Sequence, residues 1–172
     1  MTTLMQLDMC ANEWFNQKMR RRGFALEKKF YFWRKRGPLF DVFWSEILTG
    51  GSLLRVWATV LSPWVDSPDG EFVKFPVSVC VIGGPLSDNF PKDMIAGTLF
   101  DVSTKNEIDE SFRKLLEIID NSAIPWFNSI VSFDTYMAQL GLNGHLPTVA
   151  FRKKLKEGIA RGFEIEPLCQ AE

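Results

Sequence analysis

A sequence of 172 residues, with 46% hydrophobic side chains, 13% aromatic side chains and a formal net charge of −1, has the size and apolar content of one folded domain. It has no apolar run near the roughly 20 residues that a membrane-spanning helix needs. Residues 1–17 lack the basic start and apolar stretch of a secretory signal. We therefore expect a cytoplasmic protein with no membrane partner.

The cysteines and the single histidine indicate neither a disulfide framework nor a metal site. Cys10, Cys80 and Cys169 are odd in number and far apart in the chain, which is typical of reduced thiols. His145 lies in a predicted loop, and no serine has the pattern of a catalytic nucleophile. The sequence therefore predicts no catalytic residue, no metal and no cofactor.

A helix followed by strands is predicted for the first half of the chain. Residues 2–22 form the helix, because apolar residues such as Leu4, Leu7 and Ala11 recur at three- and four-residue spacing and Gly23 can end it. Segments rich in aromatic or β-branched residues predict four strands, at 30–36, 39–48, 53–61 and 72–82. The short links between the first three favour antiparallel hairpins.

The second half of the chain is predicted to be mainly helical. Gly83-Gly84-Pro85 is predicted to be a turn, and residues 98–102 a further short strand. Thr104 and Glu107 form a capping-box pattern at the start of an amphipathic helix that ends near Asn121. Later helical segments are predicted from Ile124-Pro125, in a turn that ends at Gly141, and at 148–161.

Together these elements predict an α+β fold. An N-terminal helix precedes a four- to five-stranded antiparallel meander sheet, and two to three C-terminal helices pack on the sheet. One domain spans residues 1–172, with 142–172 as a C-terminal extension helix. Apolar residues alternate onto both faces of the sheet, so we expect its second face to be covered by later segments or by a partner.

Positive charge is concentrated near the start of the sequence, where the first 36 residues hold nine basic and three acidic side chains. These basic residues interleave with aromatic ones, a combination that holds single-stranded nucleic acid on many sheets. The candidate nucleic-acid surface comprises Arg20, Arg21, Arg22, Lys28, Lys29, Arg34, Lys35 and Arg36. The pI of 5.9 argues against a dedicated nucleic-acid-binding protein.

Two further groups of side chains are candidates for binding. An acidic surface that would suit a basic protein partner comprises Asp66, Asp69, Glu71, Asp88 and Asp93. An aromatic pocket between sheet and helices, suited to a small ligand, comprises Trp44, Trp57 and Trp126.

Three short motifs carry a resemblance to a known family. They are Arg22-Gly23-Phe24 after the first helix, Phe30-Tyr31-Phe32-Trp33-Arg34 before a turn, and Pro125-Trp126-Phe127 after a late helix. In this order they resemble a bacterial family of uncharacterised small domains, a domain of unknown function, over about residues 4–140. The resemblance implies no catalytic residues. By analogy alone, the chain is also similar to the immunity proteins of bacterial toxin systems.

These observations favour a non-catalytic protein-binding module, of the immunity or regulatory type, that neutralises a partner by binding it. Nucleic-acid binding through the N-terminal basic-aromatic region is one alternative. A small-ligand-binding protein or an enzyme with an unrecognised pocket is the other.

Overall fold

A computed structural model describes residues 3–37, 39–48, 50–61, 82–131, 135–136 and 138–139. Its helical segments are α1 Thr3–Cys10, π1 Ala11–Phe15, α2 Asn16–Arg21, α3 Lys105–Ile118, π2 Ile119–Ala123 and α4 Ile124–Ser129. Its strands are β1 Ala25–Lys28, β2 Tyr31–Arg36, β3 Leu39–Ile47, β4 Leu53–Leu61, β5 Ile82–Pro85 and β6 Leu99–Asp101. The strands form one antiparallel sheet in the order β1-β2-β3-β4-β5, with β6 also paired to β4. The predicted α+β fold with a meander sheet is therefore confirmed.

The N-terminal helix follows the predicted span but is not uniform. Its middle turn, π1, is π-helical, whereas the periodicity predicted an uninterrupted α-helix. The helix buries Leu7, Phe15 and Met19 in the core. It ends at Gly23, whose left-handed φ of +81° lets its N–H reach the carbonyl of Arg20 at 2.9 Å.

The second helix begins as the capping box predicts, because the Thr104 hydroxyl oxygen accepts a hydrogen bond from the Glu107 N–H. The α-helix ends at Ile118, close to the predicted end near Asn121, and the short helix predicted from Ile124 is confirmed as α4. The chain continues through π2 directly into α4, which runs to Ser129. Pro125 lies in the first turn of α4, where its missing N–H costs the helix no hydrogen bond.

The sheet separates two apolar clusters. Its inner face, with Phe32, Phe43 and Val56, packs with both helices in the main core. Its outer face carries a smaller cluster built from Tyr31, Phe40, Val42 and Leu61, with Trp33 and Trp44 packed against it. Apolar residues on both faces are thus confirmed, since Val42 on the outer face is as fully buried as the core.

Gly83-Gly84-Pro85, predicted as a turn, belongs instead to strand β5, so that prediction is wrong. Gly83 pairs with Thr59 and has a φ of +127°. A Cβ atom there would lie 2.1 Å from the carbonyl oxygen of Ala58. The glycines therefore permit a close approach of two strands rather than a reversal of the chain.

Beyond β5, the short strand predicted at 98–102 is confirmed as β6, while β1 is a strand that the sequence analysis did not predict. Residues 135–136 and 138–139 are helical and fall within the helical turn that was predicted to end at Gly141. Outside the described residues lie the rest of that turn, residues 72–81 of the fourth predicted strand, the predicted helix at 148–161 and the extension 142–172. So do Cys80, His145 and Cys169. Within the described part of the chain, no helix has the length and apolarity required to cross a membrane.

Candidate functional site

The eight basic residues of the predicted nucleic-acid surface do not share one exposed surface. Strand alternation places Arg34 and Arg36 on the inner face of β2, on the same side as Phe32. Their exposed fractions are 6% and 3%. These two arginines are therefore removed from the predicted surface, because a buried guanidinium is not available to a phosphate backbone.

Arg34, Arg36 and Asp41 form a buried arginine cluster. Arg34 Nε and Arg36 Nε each donate to Asp41 Oδ2 at 2.9 Å, and Arg36 Nη2 donates to Asp41 Oδ1 at 2.9 Å. The Arg34 guanidinium lies 4.5 Å from the ring centroid of Phe24. Burial lowers the pKa of Arg34, and the Asp41 carboxylate opposes that shift. Arg36 Nη1 also donates to the carbonyl of Ile130 at 2.8 Å, so the cluster ties β2 and β3 to the chain just after α4.

Of the other six basic residues, two form ion pairs and four are exposed and form none with a described residue. Arg22 forms a two-fold hydrogen-bonded pair with Asp120, at 2.6 and 2.5 Å, and Lys29 pairs with Asp8. The remaining four, which are exposed, are Arg20, Arg21, Lys28 and Lys35. The first two end α2 while the others lie on β1 and β2, so the positive charge is spread over separate elements.

The described part of the acidic set is used in local contacts. Asp88 pairs with Lys114 at 3.0 Å, and both line an open groove of about 440 Å³ along α3. Asp93 Oδ1 accepts the backbone N–H groups of Ile95 and Ala96 at 3.0 and 3.2 Å, which lowers the pKa of Asp93. The other three members, Asp66, Asp69 and Glu71, lie outside the described residues.

The three tryptophans of the predicted pocket are on opposite sides of the sheet. Trp126 is buried in the main core, where its Nε1 donates to Gln139 Oε1 at 3.1 Å. Trp44 and Trp57 are paired across β3 and β4 on the outer face, with ring centroids 5.0 Å apart and planes 8° from parallel. No pocket shared by all three is formed, because the sheet lies between them.

The outer face also carries polar atoms that the sequence analysis did not single out. Trp44 Nε1, Trp57 Nε1, Thr59 Oγ1 and Arg55 Nε are shielded from solvent without a hydrogen-bond partner in the described part of the chain. Arg55, Trp57 and Thr59 alternate along β4, so they lie on the same face as Trp44. That alternation was visible in the sequence, but their lack of partners was not.

A second missed feature is an exposed apolar surface on α1, which we call the methionine face. It consists of Leu4, Met5 and Met9, whose side chains are 51%, 55% and 49% exposed. The periodicity had placed Leu4 with the buried residues Leu7 and Ala11, and that placement is wrong. Leu4 is the second residue of α1, and half of its side chain is exposed.

Among the described residues, no group of three or more histidine, cysteine, aspartate or glutamate side chains is arranged to hold a metal ion. No family model, curated protein or solved structure matches the chain. The resemblance to a bacterial family of small domains therefore stays a prediction.

Proposed function

We propose that this chain is a protein-binding module and that the methionine face of α1 contacts the partner. The observation that carries the proposal is the exposure of Leu4, Met5 and Met9 on a helix whose opposite face is already buried. A helix that only covers a core needs one apolar face. Burial of apolar side chains on a second face by a partner is favourable, because it removes their surface from water.

The surroundings of this face support an interface. Asp8 is paired with Lys29, and Glu13 is paired with Lys105 at 3.5 Å. The charges beside the apolar side chains are therefore largely compensated within the protein. An apolar centre with a polar rim is the usual arrangement of a protein–protein interface, and flexible methionine side chains adapt well to a partner.

The more specific form of the proposal is an immunity-type or regulatory protein that neutralises its partner by covering it. The analogy to the small α+β immunity proteins of bacterial toxin systems supports this form. Nucleic-acid binding is less well supported. The burial of Arg34 and Arg36 and the ion pairs of Arg22 and Lys29 leave four of the eight basic residues for phosphates, and those four lie on separate elements.

The test is coexpression of the tagged chain with the products of its adjacent genes, followed by size exclusion with mass detection. We expect a stoichiometric complex that is lost with the double variant Met5→Asp, Met9→Asp. Both side chains are about half exposed, and substitutions at exposed positions usually change stability little, so the variant should fold.

The matched control is Gln17→Asp, which adds negative charge at an exposed polar position of α2, further along the same N-terminal helix. It should leave the complex intact. The proposal fails if no partner is recovered, or if the double variant retains the complex as well as the control does.

A further inference from the structure

The methionines in the described part of the chain differ in their contact with solvent. Met5 and Met9 on α1 are 55% and 49% exposed. Met19 on α2 is fully buried, and Met94 is partly buried and packed against the main core. The thioether sulfur of methionine is oxidised to a sulfoxide, and exposure to the oxidant favours that reaction. Met5 and Met9 are therefore the described methionines that an oxidant in solution reaches most readily.

The other sulfur on α1, that of Cys10, is protected from oxidation. Its side chain is buried in the main core. Burial raises the pKa of the Cys10 thiol above its ordinary value, and the negative charges of Asp109 and Glu13 raise it further. A cysteine reacts with peroxide as the thiolate, which this environment disfavours. Oxidation on α1 is therefore directed to the two thioethers.

The spacing of the two methionines places both thioethers in one patch of surface. Met5 and Met9 are four residues apart in α1, a separation at which side chains are neighbours about 6 Å apart on one helix face. A thioether is apolar, whereas a sulfoxide is polar. Oxidation of both residues therefore leaves Leu4 as the one apolar member of the methionine face, while the buried side chains of the helix, such as Leu7, are unchanged.

We propose that Met5 and Met9 form a modification site, at which a peroxide converts the methionine face from an apolar to a polar surface. With hydrogen peroxide, the O–O bond breaks and one oxygen forms an S–O bond with the thioether sulfur. The sulfur loses two electrons, and the second oxygen takes both protons and leaves as water. The effect of this change on partner binding rests on the proposed function, whereas the selective oxidation itself does not.

Oxidation and partner binding should oppose each other. A partner that covers the methionine face shields both sulfurs, so the complex should react more slowly with peroxide than the free chain does. In turn, a sulfoxide retains its affinity for water and resists burial against apolar side chains. Losing the burial of one apolar side chain weakens binding by about tenfold or more.

The first test uses the free chain and hydrogen peroxide, with oxidation at each methionine followed by mass spectrometry of proteolytic peptides. We expect Met5 and Met9 to react at least about tenfold faster than Met19, with no change in the thermal unfolding midpoint. Retention on a phenyl column should fall as they react. The double variant Met5→Leu, Met9→Leu keeps apolar side chains of similar size, so its retention should not respond to peroxide. Equal rates at the three methionines, or unchanged retention of the oxidised wild type, would overturn the proposal.

The second test uses the complex from coexpression. Oxidised wild type should bind the partner at least about tenfold more weakly, whereas the leucine double variant should bind equally well before and after peroxide. The two stereospecific methionine sulfoxide reductases, with dithiothreitol as the electron donor, should restore binding by the wild type.

The outcomes separate this proposal from the proposed function. If no partner is recovered, the proposed function fails, and the oxidation rates and column retention of the free chain still decide the modification site. A complex that is lost with the double variant Met5→Asp, Met9→Asp but survives oxidation of both methionines would overturn the redox control and leave the protein-binding function standing.

Discussion

Arg36 and Asp41 form a two-fold hydrogen-bonded ion pair inside the protein, with Arg36 Nε and Nη2 each 2.9 Å from a carboxylate oxygen of Asp41. Both side chains are almost completely shielded from solvent. A buried charge is tolerated only when it is paired and hydrogen-bonded. The stability of the β2–β3 pair therefore depends on one carboxylate, that of Asp41.

Removal of that carboxylate charge should be strongly destabilising. Asp41→Asn leaves both Arg34 and Arg36 as buried cations without an anion, so we expect a loss of about 3–5 kcal/mol in the free energy of unfolding. Urea unfolding measures it. Glu46→Gln is the control, because it breaks the more exposed Arg55–Glu46 pair and should cost at most about 1 kcal/mol. Equal effects of the two substitutions would contradict the assigned role of the cluster.

The two arginines of the cluster should not be equivalent. Arg34 Nη2 is shielded without a described partner, and burial lowers the pKa of Arg34, whereas Arg36 also holds the Ile130 carbonyl. Arg34→Met leaves Arg36 as the single cation paired with the Asp41 carboxylate, so the free energy of unfolding should fall by no more than about 1 kcal/mol. Arg36→Met should cost about 3 kcal/mol or more, because it leaves the Ile130 carbonyl unpaired. The reverse order in urea unfolding would contradict this account.

Gly83 should be far less tolerant of a side chain than Gly50, although both have a positive φ. Gly83→Ala places a Cβ atom 2.1 Å from the Ala58 carbonyl oxygen, whereas a Cβ at Gly50 meets nothing within 4 Å. We expect Gly50→Ala to cost about 1–2 kcal/mol from backbone strain alone. Gly83→Ala should cost at least about 3 kcal/mol, because the clash with β4 adds to the strain. Thermal unfolding of the two variants distinguishes these outcomes.

Asp93 should contribute to stability at neutral pH and lose that contribution in acid. Its pKa is lowered from 3.8 in the folded protein because its carboxylate accepts the N–H groups of Ile95 and Ala96. A group whose pKa falls on folding stabilises the protein above its unfolded pKa, and the stabilisation disappears as the pH drops through the folded pKa.

The stability difference between wild type and Asp93→Asn should therefore be larger at about pH 6 than at about pH 3. Urea unfolding at both values measures it. A difference that is the same at both pH values would show that the charge of Asp93 contributes nothing.

The local patterns that the sequence carries predicted the elements well. Three- and four-residue spacing located the two main helices, and Thr104 caps α3 as its spacing to Glu107 indicated. Alternation and short links predicted antiparallel β2, β3 and β4. These features depend on neighbours within one turn or one hairpin, so the sequence alone was sufficient.

Tertiary packing decided the features that bear on function. Arg34 and Arg36 were predicted to be surface cations, but the distant segment around Phe127 and Ile130 packs against them and buries them together with Asp41. Gly83 was predicted to lie in a turn, but it pairs with β4 at a distance that leaves no room for a Cβ atom. Trp44 and Trp57 were grouped with Trp126, although the sheet separates them.

The sequence by itself determined which segments become helices and strands, since that depends on local periodicity. Which charges are paired and which side chains remain open to a partner depends on contacts between residues far apart in the chain, and only the tertiary structure brings those together.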